Sequence, residues 1–213
     1  MIAAARQRAR WGVLAGIAAV AVFAAAAVLG RGSVSSPPTA EPAPDAPTTV
    51  TGPPLTATPP ADQDTERFAD PESGFSIDYP ATWRRLAAPD KQVRLLVTDK
   101  ATTSLLVRDA PLGLEVTPDT LGVARDFTDT LVRADSSVRM LAKPEFVTLD
   151  GLPGVRYRYT FNDGRGGGAH VHYFLFKGSR LLTLVFQVPD ARALERRSGL
   201  LDRVAGTFRV TDT

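Results

Sequence analysis

His170 and His172 are the only histidines in the chain, and they sit two residues apart in His170-Val171-His172-Tyr173-Phe174. In a strand, alternate side chains share a face, so both imidazoles point the same way. Two imidazoles at that spacing could hold a metal if a third ligand came from elsewhere, and Asp163 is the nearest carboxylate. The plainer alternative is two partly exposed sheet residues, and no metal site is predicted. Just upstream, Gly164-Arg165-Gly166-Gly167-Gly168-Ala169 matches the spacing G-x-G-x-x-A, with Asp190 following 21 residues later. That fingerprint works only when a helix N-terminus lies beneath the phosphates. Here a strand follows, so the segment reads as a hairpin loop and no cofactor is expected.

Other catalytic signatures are missing. No serine stands in a G-x-S-x-G elbow, and neither His-Glu-x-x-His nor a phosphate loop occurs. Asp126 and Asp129 lie one helical turn apart, where paired acids are ordinarily solvated. With no cysteine there is no thiol nucleophile, disulfide or cysteine-ligated zinc. An enzyme is therefore not expected; the alternative is a secreted or anchored hydrolase whose site has no recognisable motif.

One surface remains a candidate for binding. If Asn162 pairs with His170 across a seven-residue loop, Asp163 to Ala169, antiparallel partners keep a constant sum. Arg156, Arg158, Thr160, His170, His172 and Phe174 then share one face, and Tyr157, Tyr159, Phe161, Val171, Tyr173 and Leu175 form the core on the other. The first set mixes cationic, hydrogen-bonding and aromatic groups. It could hold a phosphate or carboxylate through bidentate arginine contacts. The alternative is a solvated or helix-covered face with its arginines paired to nearby acids.

Positioning these residues falls to strands joined by short turns. Arg67–Asp70 reads as a strand, Pro71-Glu72-Ser73-Gly74 as a turn, and Phe75–Tyr79 as an alternating, half-buried strand that Pro80 ends. Val93–Thr98, Ser104–Asp109, Glu145–Leu149, Val155–Asn162, His170–Lys177 and Leu181–Val188 follow as strands. Leu181–Val188 is apolar on one face and half apolar on the other, which places it centrally under helices. Thr117-Pro118 opens a helix whose stripe is Leu121, Ala124, Phe127, Thr128 and Leu131, with Asp129 and Arg133 paired on the wet side. Asp190 caps a last helix that turns Ala191, Leu194, Leu201 and Val204 inward, with a break or kink at Gly199. This order predicts an α+β domain with a twisted antiparallel sheet flanked by helices, over residues 66–213.

The preceding residues have a different character. Trp11 to Leu29 is 19 residues without a charge, preceded by Arg6, Arg8 and Arg10 and followed by Arg31. A helix of about 20 residues crosses a bilayer core of about 30 Å. The arginine asymmetry puts the N-terminus in the cytoplasm and the remainder outside. Residues 1–32 are thus predicted to be a cytoplasmic start and a transmembrane anchor, with the membrane as a partner. The alternative is a signal peptide cleaved at Ala25-Ala26-Ala27; both readings export the domain. Ser33 to Thr65 holds nine of the 17 prolines and no apolar periodicity, so 33–65 is predicted to be a disordered linker. Beyond Thr65 the charge is 21 basic against 19 acidic residues, which argues against a nucleic-acid partner.

The run Gly74-Phe75-Ser76-Ile77-Asp78-Tyr79-Pro80-Ala81-Thr82-Trp83 resembles the opening signature of the PsbP-like superfamily, in which a strand stops at proline and a tryptophan three residues on folds under the sheet. The terminal helix ending near Val204 to Phe208 is similar to that family's closing element. Within the superfamily, the chain resembles the LpqN-type cell-envelope proteins of actinobacteria over about Arg67 to Val210. The resemblance implies a twisted antiparallel sheet flanked by helices, and an accessory or binding role toward an unknown envelope ligand or protein. LpqN-type proteins are lipid-anchored through a cysteine that this chain lacks; an apolar N-terminal helix would do the same job.

Overall fold

The computed structural model describes residues 64–99, 102–162 and 166–211. The predicted anchor, nearly all of the predicted linker, and Asp163 lie outside them. Among the described residues no helix is long and apolar enough to cross a membrane.

The chain forms eleven strands and two α-helices among the described residues. In order these are β1 (Thr65–Asp70), β2 (Phe75–Pro80), β3 (Arg84–Arg85), β4 (Val93–Thr98), β5 (Ser104–Pro111), α1 (Leu121–Arg133), β6 (Arg139–Met140), β7 (Glu145–Leu149), β8 (Leu152–Asn162), β9 (Gly167–Lys177), β10 (Arg180–Val188), α2 (Ala191–Gly206) and β11 (Arg209–Val210). β1, β2 and β11 make a small sheet. The large one runs β3-β4-β5-β10-β9-β8-β6, with β7 also on β8, and its pairings are antiparallel. β10 is its middle strand, and eight of its nine residues are buried, as its two-faced apolarity predicts.

Three layers result. One face of the large sheet presents Leu95, Val97, Leu105, Val107, Val171, Tyr173, Leu182, Leu184 and Phe186, packed under β2 and the inner side of α2. Trp83 belongs to this core and is 5% exposed. Its amide donates to the Pro80 carbonyl at 2.8 Å, so the chain tucks the indole beneath the sheet as soon as β2 ends. The opposite face carries Val155, Tyr157, Tyr159, Phe161, Phe174 and Phe176, covered by α1. Further along that face, Val93, Leu96, Leu106 and Val185 form a smaller cluster with Leu86.

Helix ends follow the sequence closely. Asp190 caps α2 by accepting from the Ala193 amide at 2.7 Å. α2 runs unbroken through Gly199, contrary to the expected kink: that residue is exposed, so its missing side chain opens no gap in the core. A single 3-10 turn, Pro118–Thr120, precedes α1. Arg133 and Asp129 pair at 2.7 Å on the outer side of α1.

Candidate functional site

The register of the β8–β9 ribbon decides which side chains meet. Asn162 pairs with Gly167, not His170, so the connection is four residues rather than seven. Tyr159 then stands opposite His170, Tyr157 opposite His172 and Arg156 opposite Tyr173. The predicted pairing is off by three positions, an odd number, and an odd slip exchanges the faces. The expectation that Arg156, Arg158, Thr160, His170, His172 and Phe174 share a face is therefore corrected. The arginines and Thr160 lie on the α2 side, and the histidines and Phe174 lie on the α1 side. Extension of β9 back to Gly167 causes the shift. A Cβ on Gly168 would stand 3.0 Å from two carbons of the Phe161 ring and 3.0 Å from the Val188 carbonyl oxygen, so the glycine is a strand residue that lets a ring lie on the backbone.

On the α1 side, His170 and His172 are each 1% exposed. The Tyr159 hydroxyl sits between them, 3.0 Å from Nδ1 of His170 and 3.3 Å from Nδ1 of His172. Nε2 of His170 is 3.4 Å from Oε1 of Gln187. Burial drives the His170 pKa down to about 4, and drives His172 well below its ordinary value with His170 adding to the effect. Burial likewise raises Tyr159. All three groups are neutral at ordinary pH, which fixes the sense of the chain. With the Gln187 oxygen as acceptor, Nε2 of His170 carries the proton and its Nδ1 accepts from the Tyr159 hydroxyl. The Tyr159 oxygen in turn accepts from Nδ1–H of His172. Nε2 of His172 is left as a bare acceptor, and it is a buried nitrogen without a partner. Phe174 stacks on the His172 ring at 3.9 Å and meets Tyr157 edge-on at 5.5 Å. Tyr157 ties the ribbon to α1, its hydroxyl lying 2.9 Å from Thr128 Oγ1.

The α2 side is charged and self-contained. Arg156 donates to Glu145 at 2.5 Å and to Asp202 of α2 at 3.4 Å, and Arg158 donates to Glu145 at 3.3 Å. The Tyr173 hydroxyl donates to Asp202 at 3.2 Å. Burial acts most strongly and lowers the Arg156 pKa, but the hydrogen bond it donates to Glu145, the charge of Glu145 and the contact with Tyr173 together outweigh it, and the net shift is upward, so the guanidinium stays charged. This is the alternative named from the sequence, arginines paired to nearby acids. Thr160 makes only a contact at the hydrogen-bond limit, 3.5 Å to the Arg139 carbonyl.

Chemically, the histidine cluster is a buried relay of neutral donors and acceptors with no solvent-facing base. The arginine cluster is a clasp between the sheet and α2. Among the described residues, no group of three or more His, Cys, Asp or Glu side chains is placed to hold a metal ion. Sequence reasoning missed Gln187, Glu145 and Asp202 as partners. Gln187 carried a signal, as a lone amide between Phe186 and Val188 in an otherwise apolar strand. Glu145 carried one too, because a two-residue Asp150-Gly151 turn pairs Leu149 with Leu152 and so sets Glu145 opposite Arg156; Asp202 carried none, because only the seating of α2 brings it to Arg156.

No family model matches the chain, and no curated protein matches it. Solved structures do. The cyanobacterial PsbP (CyanoP) of Synechocystis sp. PCC 6803 superposes with a TM-score of 0.51 at 17% identity, covering 72% of this chain and 98% of that one. LpqN of Mycobacterium tuberculosis, described as involved in cell envelope biogenesis, superposes with a TM-score of 0.52 at 9% identity, covering 71% of this chain and 88% of that one. At these identities the likeness is one of fold, and the fold is PsbP-like α+β: antiparallel sheets with two helices.

Proposed function

We propose that this PsbP-like domain is an extracytoplasmic accessory or binding module of the cell envelope, tethered to the membrane through Trp11–Leu29, and that it is not an enzyme. The fold likeness to LpqN supports the envelope setting. The charge-free span with its arginine asymmetry and the proline-rich linker support the tether. One observation carries the non-catalytic reading. The two histidines are buried and neutral at ordinary pH, and the nearby arginines are held by Glu145 and Asp202. A general base must exchange protons with its substrate, and a catalytic cation must reach an anion. These groups are committed to one another.

The tether is tested by sequencing the N-terminus of the mature protein and by protease accessibility in intact cells. Retention of Trp11–Leu29 with a protease-sensitive C-terminal domain supports the proposal. A mature start just after Ala27 shows a released protein, and a protected domain shows a cytoplasmic one. The binding role is tested by native mass spectrometry of the purified full chain, which should retain an envelope component. Turnover of a hydrolase substrate panel would overturn the non-catalytic reading.

A further inference from the structure

The outer edge of β7 has a self-complementary pattern. β7 and β8 form a hairpin closed by Asp150-Gly151, whose φ angles of 47° and 81° make a two-residue turn with both central residues left-handed. In such a hairpin the flanking pair, Leu149 with Leu152, exchanges both backbone hydrogen bonds, as do the alternate pairs Val147 with Gly154 and Glu145 with Arg156. The amides and carbonyls of Phe146 and Thr148 therefore point away from β8. No described strand pairs with that side of β7. Both residues are exposed, and Phe146 is one of three large apolar side chains exposed among the described residues, at 38%.

The stretch able to pair is short and bounded. The pairing sum with β8 is 299 along β6 and 301 along β7, so Ala142-Lys143-Pro144 bulges out of the edge. Pro144 has no amide to offer, and the other end is the Asp150 turn. Two donors and two acceptors remain, placed symmetrically about Val147.

We infer that this edge pairs with the same edge of a second copy of the chain, antiparallel, about a two-fold axis through Val147. In that register Phe146 lies opposite Thr148 of the second copy and Thr148 opposite its Phe146, so every outward donor meets an acceptor. Each copy covers the other's Phe146. No like charges oppose one another, because Glu145 faces Leu149 and is already bound to Arg156. Lys143, which is exposed, falls beside the Asp150 turn of the second copy. A second copy supplies the matching donors and acceptors by symmetry.

Because the chain has no cysteine, one substitution gives a unique probe. At the axis, Val147 meets its counterpart as a non-hydrogen-bonded pair, with Cα atoms about 4.5 Å apart, inside disulfide range. The full chain carrying Val147→Cys, in detergent micelles under mild oxidation, should form a disulfide-linked dimer. Its yield should exceed that of Val123→Cys, an exposed position on α1, by roughly tenfold. Adding Thr148→Pro removes an outward amide at an edge position where proline is tolerated, and should return cross-linking to the Val123→Cys level. Adding Phe146→Lys should do the same. Equal cross-linking at 147 and 123 overturns the inference. So does cross-linking at 147 that survives both second substitutions, or a sedimentation analysis showing only monomer at every protein concentration.

Discussion

Gly154→Ala tests the tight approach of β8 to β9. Gly154 pairs with Leu175, and a Cβ at that position would stand 2.4 Å from the Phe174 carbonyl oxygen, 2.8 Å from a Leu175 methyl and 3.3 Å from the Leu175 Cα. The methyl can rotate away, but the carbonyl cannot. β9 is fixed between β8 and β10, and Phe174 and Leu175 are both fully packed. Relief therefore requires the two strands to part. Overpacking of a well-filled interior costs about 1–3 kcal/mol, and a clash with fixed backbone belongs at the top of that range. At roughly 2–4 °C per kcal/mol for a domain of about 150 residues, a loss of about 3 kcal/mol lowers the melting temperature by about 6–12 °C. Circular dichroism melting of the purified chain reads this directly. Gly122→Ala is the control, since nothing lies within 4 Å of the added carbon on exposed α1. It should stabilise by about 0.5–1 kcal/mol. A Gly154→Ala melting temperature within about 2 °C of wild type would refute the argument that this backbone contact is rigid.

Trp83→Ala should cost roughly 3–5 kcal/mol, the usual loss for emptying a buried aromatic site, and an unchanged melting curve would show that the indole does not support the core. Replacing Arg156 and Arg158 together with alanine strips Glu145 of its arginine partners and leaves Asp202 with the Tyr173 hydroxyl; we expect a loss of about 2–3 kcal/mol in urea unfolding, and an unaltered midpoint would show that the clasp contributes nothing. The histidines make stability fall in acid. Each has a folded pKa below its unfolded value near 6.5, so the unfolded chain binds protons first and stability declines as pH drops below about 6.5. For His170 the decline continues to about pH 4 and amounts to about 3 kcal/mol. The slope between about pH 6.5 and 5 should flatten in a His170→Gln, His172→Gln variant; an unchanged slope would assign the effect elsewhere.

The parts of the fold legible in the sequence were those set by local chemistry. Asp190 caps α2 because a carboxylate there can reach an amide three residues on, and the stripe through Ala124 and Thr128 turns inward because helical spacing leaves no other choice. The double-sided apolarity of Leu181–Val188 identified the middle strand. The binding face was not legible, because its composition depends on a register set by Gly167 and Gly168. Glycine reads as loop in a sequence. Here Phe161 lies against the Gly168 backbone, and three additional residues, Gly167, Gly168 and Ala169, join β9. Parity then reversed, and a mixed cationic and imidazole surface became two unrelated clusters. β3, β6 and β11, at two residues each, are too short to carry a period; they exist only because longer strands lie alongside them.

The position of β10 has a consequence for how the chain reaches this structure. β10 bridges β5, 79 residues earlier at Leu106↔Val185, and β9, its hairpin neighbour. In the large sheet, the strands before α1 and those after it are thus joined only through residues 180–188. During synthesis from the N-terminus, β4 and β5 emerge long before the strand that completes their sheet, and β5 keeps an open apolar border until then. The β8–β9 hairpin can form early from neighbouring residues, whereas closure of the whole must wait for nearly the last tenth of the polypeptide. Folding dominated by such a late, long-range join is expected to be slow, in the millisecond-to-second range, with a transition state that contains the β5–β10 pairing. The amides of β10 should accordingly be the last to exchange with solvent, opening only when the entire domain unfolds.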